Sequence, residues 1–437
     1  MAVLGLASGL VAGPAVAPAA AGDSIRGDQW HLDAMHAPEI WKISTGQGIT
    51  VAVIDGGFKF DHPDLVGQLM PGKDFSGSFG GVGTYSDGHG TAMASLIAGT
   101  GKGMDGKGAY GLAPGAKVLP LKIKDGSEGG ALTSKVLLGQ IGQAVDYAVG
   151  QGVKVIDISQ GMAAVVPDPD DVAQLNSVLA RATAKGSLVI ASVGNSAQDG
   201  NLLEYPSGLP YVVGVGAVDK NVTTTAESQQ GRQVDLVAPG MDIIEACTGS
   251  TGYCKSHGTS DAAALVSASV ALVWAVHPEW TANQVLRVLI NTAGKPTDGS
   301  NRNDGVGYGA VRPRIALTAP GDPGPGNVYP IPSKVPSLAS ASPSPTASSA
   351  PASSPAAVSA PPTKGTSPVA TRIADKASDP DSSVLPIPIA GVVGLVVEAG
   401  VVLYVVRMRK AVGKAAAAYA PPPFEPPVPP GDNPSAR

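Results

Sequence analysis

Cysteine is scarce in this chain, with two in 437 residues, and basic charge never gathers into a stripe. Six histidines occur without Cys/His ligand spacing, so no zinc cluster is spelled out. A net charge of −5 argues against nucleic acid as a partner. No internal repeat stands out either. What remains to explain is a chain that reads as one large globular block followed by segments of quite different composition.

Within the block, apolar runs at 49–54, 117–122, 153–158, 188–192, 211–218 and 234–237 read as strands. Segments 133–149 and 170–185 have helical periodicity, and Thr281 with Gln284 forms a capping-box start for a later helix ending near Asn291. Alternation of this kind predicts an α/β fold with a mainly parallel sheet flanked by helices. About 290 residues are ample for a single core.

Four places carry chemistry. Val51-Ala52-Val53-Ile54-Asp55-Gly56-Gly57 predicts a central strand delivering Asp55 at its carboxyl edge, where open α/β sheets place their sites. Asp87-Gly88-His89-Gly90-Thr91 sets His89 between glycines near the start of a short helix over 92–98. Ser256-His257-Gly258-Thr259-Ser260 runs into an Ala-rich helix that Pro278 helps to stop. Ser260 then sits at a helix N-terminus, where free N–H groups favour developing negative charge. The run 188–195 is another strand, ending in Gly194-Asn195, and an Asn amide there can donate to an oxyanion. A serine hydroxyl needs a base and a group that orients the base, and these segments supply both.

In this order, Asp then His then Ser, the chain resembles the subtilase family of serine proteases. The resemblance extends over about 30–316 and includes Asp61-His62-Pro63-Asp64-Leu65, Gly111-Leu112-Ala113-Pro114-Gly115-Ala116 and Val237-Ala238-Pro239-Gly240. It implies that Asp55 orients the base, His89 is the base, Ser260 the nucleophile and Asn195 the oxyanion donor. It also implies that Ser159-Gln160-Gly161 pairs with an extended protein or peptide substrate. With Ser192, Val193 and Gly194, that segment would wall the pocket for the residue preceding the cut.

Three departures from the family pattern stand out. Gly56 removes a hydroxyl that could bond the aspartate, Asp261 follows the nucleophile where Met or Phe is usual, and Gln160 stands where an apolar residue is common. They bear on rate and pocket preference and spare the nucleophile, base and oxyanion donor. His31, His36, His62, His257 and His277 have ordinary structural readings. Gly101-Lys102-Gly103-Met104-Asp105-Gly106-Lys107-Gly108 fits most of a phosphate-binding loop but lacks the final Ser or Thr, so it reads as a surface loop.

The remaining segments complete the expected organisation. Residues 1–21 read as a signal peptide with an incomplete n-region, 22–48 as an N-terminal extension, 49–318 as the protease domain and 319–383 as a Pro/Ser/Ala-rich disordered linker. The 23 apolar residues 384–406 read as one transmembrane helix of about 35 Å. Arg407, Arg409 and Lys410 place a disordered cytoplasmic tail, 407–437, after it, so the protease domain would face outward from a single-pass cell-membrane anchor. Glu398 within the run reads as a tolerated protonated carboxyl or as a contact with a partner helix. In an exported chain, Cys247 and Cys254 are expected to form one disulfide.

This combination resembles the mycosins, the membrane-anchored proteases of type VII secretion systems. That resemblance implies cleavage of exported proteins and association with the secretion system's membrane components. It also implies an alternative, a catalytically weak or inactive subtilase-fold scaffold. No folded inhibitory prodomain is expected between Ala21 and the first strand. No cofactor is expected. Calcium is common in subtilases, but no EF-hand-like ligand loop is present, so structural calcium stays undecided with no metal ligand assigned.

Overall fold

Apolar residues on both faces account for the central layer. In the computed structural model, which describes residues 24–125, 132–164 and 167–334, seven strands form one sheet. They are β1 (Thr50–Asp55), β2 (Lys73–Asp74), β3 (Lys117–Lys122), β4 (Val155–Ile158), β5 (Leu188–Ser192), β6 (Val212–Val218) and β7 (Leu236–Pro239). Their order is β2-β3-β1-β4-β5-β6-β7, and every neighbouring pair is parallel. Alternate residues of a strand face opposite sides. Val51, Val53, Val155 and Ile190 accordingly enter a core beneath the helices His89–Ala98 and Thr259–Val276. Ala52, Ile54, Ile156, Val189 and Ala191 enter a second core beneath Ser134–Gly150 and Pro169–Ala184. The result is three layers with β1 inside the sheet, and the chain runs to either side of it.

The caps follow their chemistry. The Thr133 side chain accepts the Val136 N–H at the start of one helix, and Thr281 and Gln284 form a reciprocal capping box at another, Ala282–Thr292. The glycine-rich segment after Gly101 wraps the buried Asp64 carboxylate, which accepts the Gly103 and Ala109 N–H groups at 2.6 and 3.0 Å. It is a structural loop.

Residues 24–44 pack across the body. The Gln29 amide donates to the carbonyls of Tyr110 (2.8 Å) and Ile244 (3.1 Å), Trp30 Nε1 donates to that of Met241 (3.1 Å), and Leu32, Ala37 and Ile40 are buried. At the other end, residues 319–334, read from composition as the start of a linker, are also held against the body. Proline offers no N–H, but its carbonyl still accepts. Arg287 uses this, donating to the carbonyls of Pro323, Pro325 and Val328 at 2.7, 3.0 and 2.5 Å. Lys334 is buried beside Asp235, 3.2 Å away.

One expectation needs correction. The α/β fold with a mainly parallel sheet is as expected, but its added Pro-rich linker and C-terminal transmembrane helix over 384–406, and the single-pass location derived from them, do not stand. Among the described residues the one helix long and apolar enough to cross a membrane is Thr259–Val276, in mid-chain, and 89% of it is buried inside the fold. Length and hydropathy cannot separate a membrane span from the central helix of a three-layer core, because both are apolar all round. The run 384–406 with Glu398, the linker beyond 334, the tail and residues 1–21 lie outside the described residues.

Candidate active site

The carboxyl edge of the sheet gathers the chemistry. Asp55 ends β1, fully buried, and His89 begins the helix His89–Ala98. A Cβ at Gly90 would lie 2.5 Å from the Gly57 carbonyl oxygen and 3.1 Å from the Asp55 Cβ, so glycine there is what lets this helix start against the strand end. The Asp87 carboxylate accepts the His89 backbone N–H at 3.0 Å and fixes the turn.

As a result, His89 Nδ1 lies 3.0 and 2.9 Å from the two Asp55 carboxylate oxygens. A carboxylate can only accept, so Nδ1 carries a proton toward Asp55, and Nε2 is the ring nitrogen not bonded to it. Asp55 Oδ1 also accepts the Gly56 N–H at 2.7 Å and the Gln160 amide N–H at 3.3 Å. Two of the three sequence departures therefore meet at one atom. A Cβ at Gly56 would fall 1.9 Å from Asp125 Oδ2, which leaves no room for a hydroxyl-bearing residue, and Gln160 supplies a donor from the other side.

Ser260 is the second residue of the helix Thr259–Val276, which packs beside His89–Ala98 in the same core. Its hydroxyl is 3.5 Å from the Ser159 carbonyl. Among the described residues no hydrogen bond joins it to His89. The structure thus sets Asp55 against His89 and Ser260 against the β4 extension.

Asn195 is exposed just beyond β5, and its orientation is fixed chemically. The Thr259 N–H and hydroxyl both donate to Asn195 Oδ1, at 2.8 and 3.0 Å, so the amide nitrogen faces outward as a donor. Thr259 Oγ1 in turn accepts the Gly194 N–H at 3.1 Å, tying the loop after β5 to the helix start. Ser159 and Gly161 follow β4, and Ser192 ends the adjacent β5, with Val193 and Gly194 just beyond it.

Residues 46–309 match the subtilase family of peptidases. This chain belongs to that family. Subtilisin Savinase of Lederbergia lenta is 32% identical over 269 residues, covering 60% of this chain and 90% of that protein. The major intracellular serine protease of Bacillus subtilis (strain 168) is 34% identical, covering 55% and 73%. Among solved structures, MycP1 from Mycobacterium smegmatis aligns with a TM-score of 0.60 at 26% identity, covering 68% of this chain and 86% of that one. MycP3 protease from the type VII (ESX-3) secretion system aligns with a TM-score of 0.56 at 29% identity, covering 66% and 88%. The subtilase domain is thus a serine protease domain allied in structure to the mycosins.

Sequence reasoning missed several members of the site. Asp157, buried in β4, accepts from Ser267 (2.7 Å) and Ser159 (3.0 Å) and so fixes the segment after β4. Burial raises its pKa to about 7 against the pull of those hydroxyls. Glu245 and Asp261 are both buried, and Ser256 donates to Asp261 at 2.8 Å. Glu245 lies in the strand Ile243–Ala246, paired antiparallel with Tyr253–Ser256. The loop of this hairpin is closed by the Cys247–Cys254 disulfide and packs against Gly88. Only an acid at an inward strand position hinted at Glu245. His257, by contrast, faces Glu227 at 2.8 Å on the surface.

These acids bear on the base. Removal of the imidazole from bulk water lowers the His89 pKa, but the charges of Asp55, Asp261 and Glu245 and the Asp55 hydrogen bond together raise it to about 10. The Asp55–His89 pair thus contributes stability that is full below the ordinary histidine value of about 6.5 and is lost as pH rises through about 10. A general base must be neutral, so activity is expected to climb with pH above the ordinary histidine range. Burial raises the Asp261 carboxyl to about 6 and the Glu245 carboxyl well above the usual carboxylate range. Asp261→Asn should move the acid limb of kcat/KM to lower pH. A limb left in place would show that Asp261 does not act on His89.

Proposed function

We propose that Asp55, His89 and Ser260 form a catalytic triad and that the chain is a serine endopeptidase acting through an acyl-enzyme. Ser260 Oγ attacks the scissile carbonyl while His89 Nε2 takes its proton. Asp55 holds the ring and stabilises the imidazolium, and the Asn195 amide donates to the oxyanion. The proton passes to the leaving amine, the acyl-enzyme remains, and water, deprotonated by the same imidazole, releases it. The observation that carries this reading is the Asp55 carboxylate bonded to His89 Nδ1 at 2.9 and 3.0 Å, at a sheet edge shared with a serine on a helix N-terminus.

The substrates proposed are proteins handled by a type VII secretion system, and its membrane components are the proposed partners. The support is structural likeness to MycP1 from the ESX-1 type VII secretion system and MycP3 protease from the ESX-3 system. A fluorophosphonate probe tests the chemistry. Labelling of the full chain that disappears in Ser260→Ala is expected. A folded chain that never labels would instead be a scaffold with the protease fold.

A further inference from the structure

Between the two segments assigned to the substrate pocket lies a carboxylate that neither the motifs nor the mechanism uses. Glu204 sits in a short strand, Glu204–Tyr205, paired antiparallel with Met162–Ala163, with Ala163 opposite Glu204. That partner strand continues directly from Gly161, so the strand carrying Glu204 pairs with the continuation of the assigned pocket wall. On the far side is Gly194, at φ +106, where an added Cβ would fall 2.4 Å from the Glu204 carboxyl carbon and from Oε1. On the near side a Cβ at Gly161 would lie 3.3 Å from Oε2. Two glycines therefore face one carboxyl group, and either of them with a side chain would crowd it.

The polar surroundings of this group are neutral. Oε1 accepts from Gln229 Nε2 at 2.9 Å and from Ser196 Oγ at 3.5 Å, and Gln229 is itself buried and donates to Ser196 Oγ at 2.7 Å. Oε2 accepts no hydrogen bond among the described residues, and no Lys, Arg or His pairs with Glu204 there. Half-burial pushes the carboxyl pKa up, and the bonds from Ser196 and Gln229 draw it back. A half-buried carboxylate with one oxygen unclaimed lacks a cationic donor.

We propose that Glu204 selects the residue preceding the cut, and that the pocket between Ser159–Gly161 and Ser192–Gly194 takes lysine or arginine. This rests on the protease reading above. An ammonium or guanidinium reaching between Gly161 and Gly194 would meet Oε2 and complete its bonding. An apolar side chain would cover the carboxylate without pairing it, so the same group that attracts a basic residue disfavours a neutral one.

The test uses the full chain and peptides that differ only in the residue before the scissile bond, set as Lys, Arg, Leu, Phe or Glu. The parent is expected to favour Lys and Arg over Leu by about 10- to 100-fold in kcat/KM, the range of a charge-assisted hydrogen bond. Glu204→Gln should bring that ratio near one. Glu204→Lys should turn the preference toward the Glu peptide, a gain that misfolding cannot produce. A parent that labels with the fluorophosphonate yet cuts the Leu or Phe peptide best overturns this inference and leaves the protease reading intact. So does a Lys/Leu ratio unmoved in Glu204→Gln. A folded chain that neither labels nor cuts any peptide overturns both.

Discussion

Replacing His89, Ser260 or both with alanine is expected to bring kcat to one common residual level, about 10⁵- to 10⁶-fold below the parent, with the double variant no worse than either single one. The reason is that neither group works alone. Without the imidazole the hydroxyl keeps its proton, and without the hydroxyl the imidazole has nothing to activate. Asp55→Asn should fall less far, by about 10⁴-fold, because the ring remains but can present the wrong nitrogen. In this chain Asp55 also accepts from Gly56 and Gln160, so the asparagine must turn its oxygen toward those donors and its N–H₂ toward the ring. Single-turnover kinetics on all four variants decides the matter. Losses that add in the double variant would mean that His89 and Ser260 act in separate steps, and the triad assignment would fail.

Legibility in the sequence followed burial. Strands covered on both faces read as apolar runs, and those at 117–122 and 188–192 match the observed β3 and β5 to the residue. The others begin or end within two residues of the expected bounds. Helix starts with side-chain caps, at Thr133 and Thr281, were equally visible because the capping chemistry is local. The hairpin Ile243–Ala246 with Tyr253–Ser256 was not visible. Its second strand is polar and exposed, and its closure depends on a loop tied by cysteines. Glu204 and Gln229 left no local trace either, since their role arises only where two glycines from distant segments face each other. The membrane reading of the run 384–406 misled in the opposite sense. Thr259–Val276 and the run 384–406 are both long and apolar enough to cross a membrane, and only three-dimensional context shows that the former is core.

The departures from the family pattern are best understood as a linked set. Gly56 leaves space that Asp125 fills, Gln160 restores a donor to Asp55, and Asp261 adds a buried charge toward His89. Each change alters the environment of the Asp55–His89 pair without touching Ser260 Oγ or the Asn195 amide. Pocket preference is set elsewhere, on the β5 side, where Glu204 and Gly194 meet. Rate and specificity are thus tuned from opposite flanks of the same sheet edge.

Asn195→Ala is expected to lower kcat by about 10²- to 10³-fold with little change in KM, the loss seen in subtilisin when this kind of donor is removed. The amide contributes only once the carbonyl oxygen carries charge, so the ground-state complex does not register its absence. Geometry sharpens the prediction, because Asn195 Oδ1 is committed to the Thr259 N–H and hydroxyl, leaving the nitrogen as the sole free end. Thr259→Val should therefore cost less than Asn195→Ala, since it loosens the donor without removing it. It should also disturb the loop after β5, whose Gly194 N–H loses its acceptor. Should Asn195→Ala raise KM while sparing kcat, the amide would be a ground-state contact, and the oxyanion would have to be met by the backbone N–H groups at the start of the Ser260 helix alone.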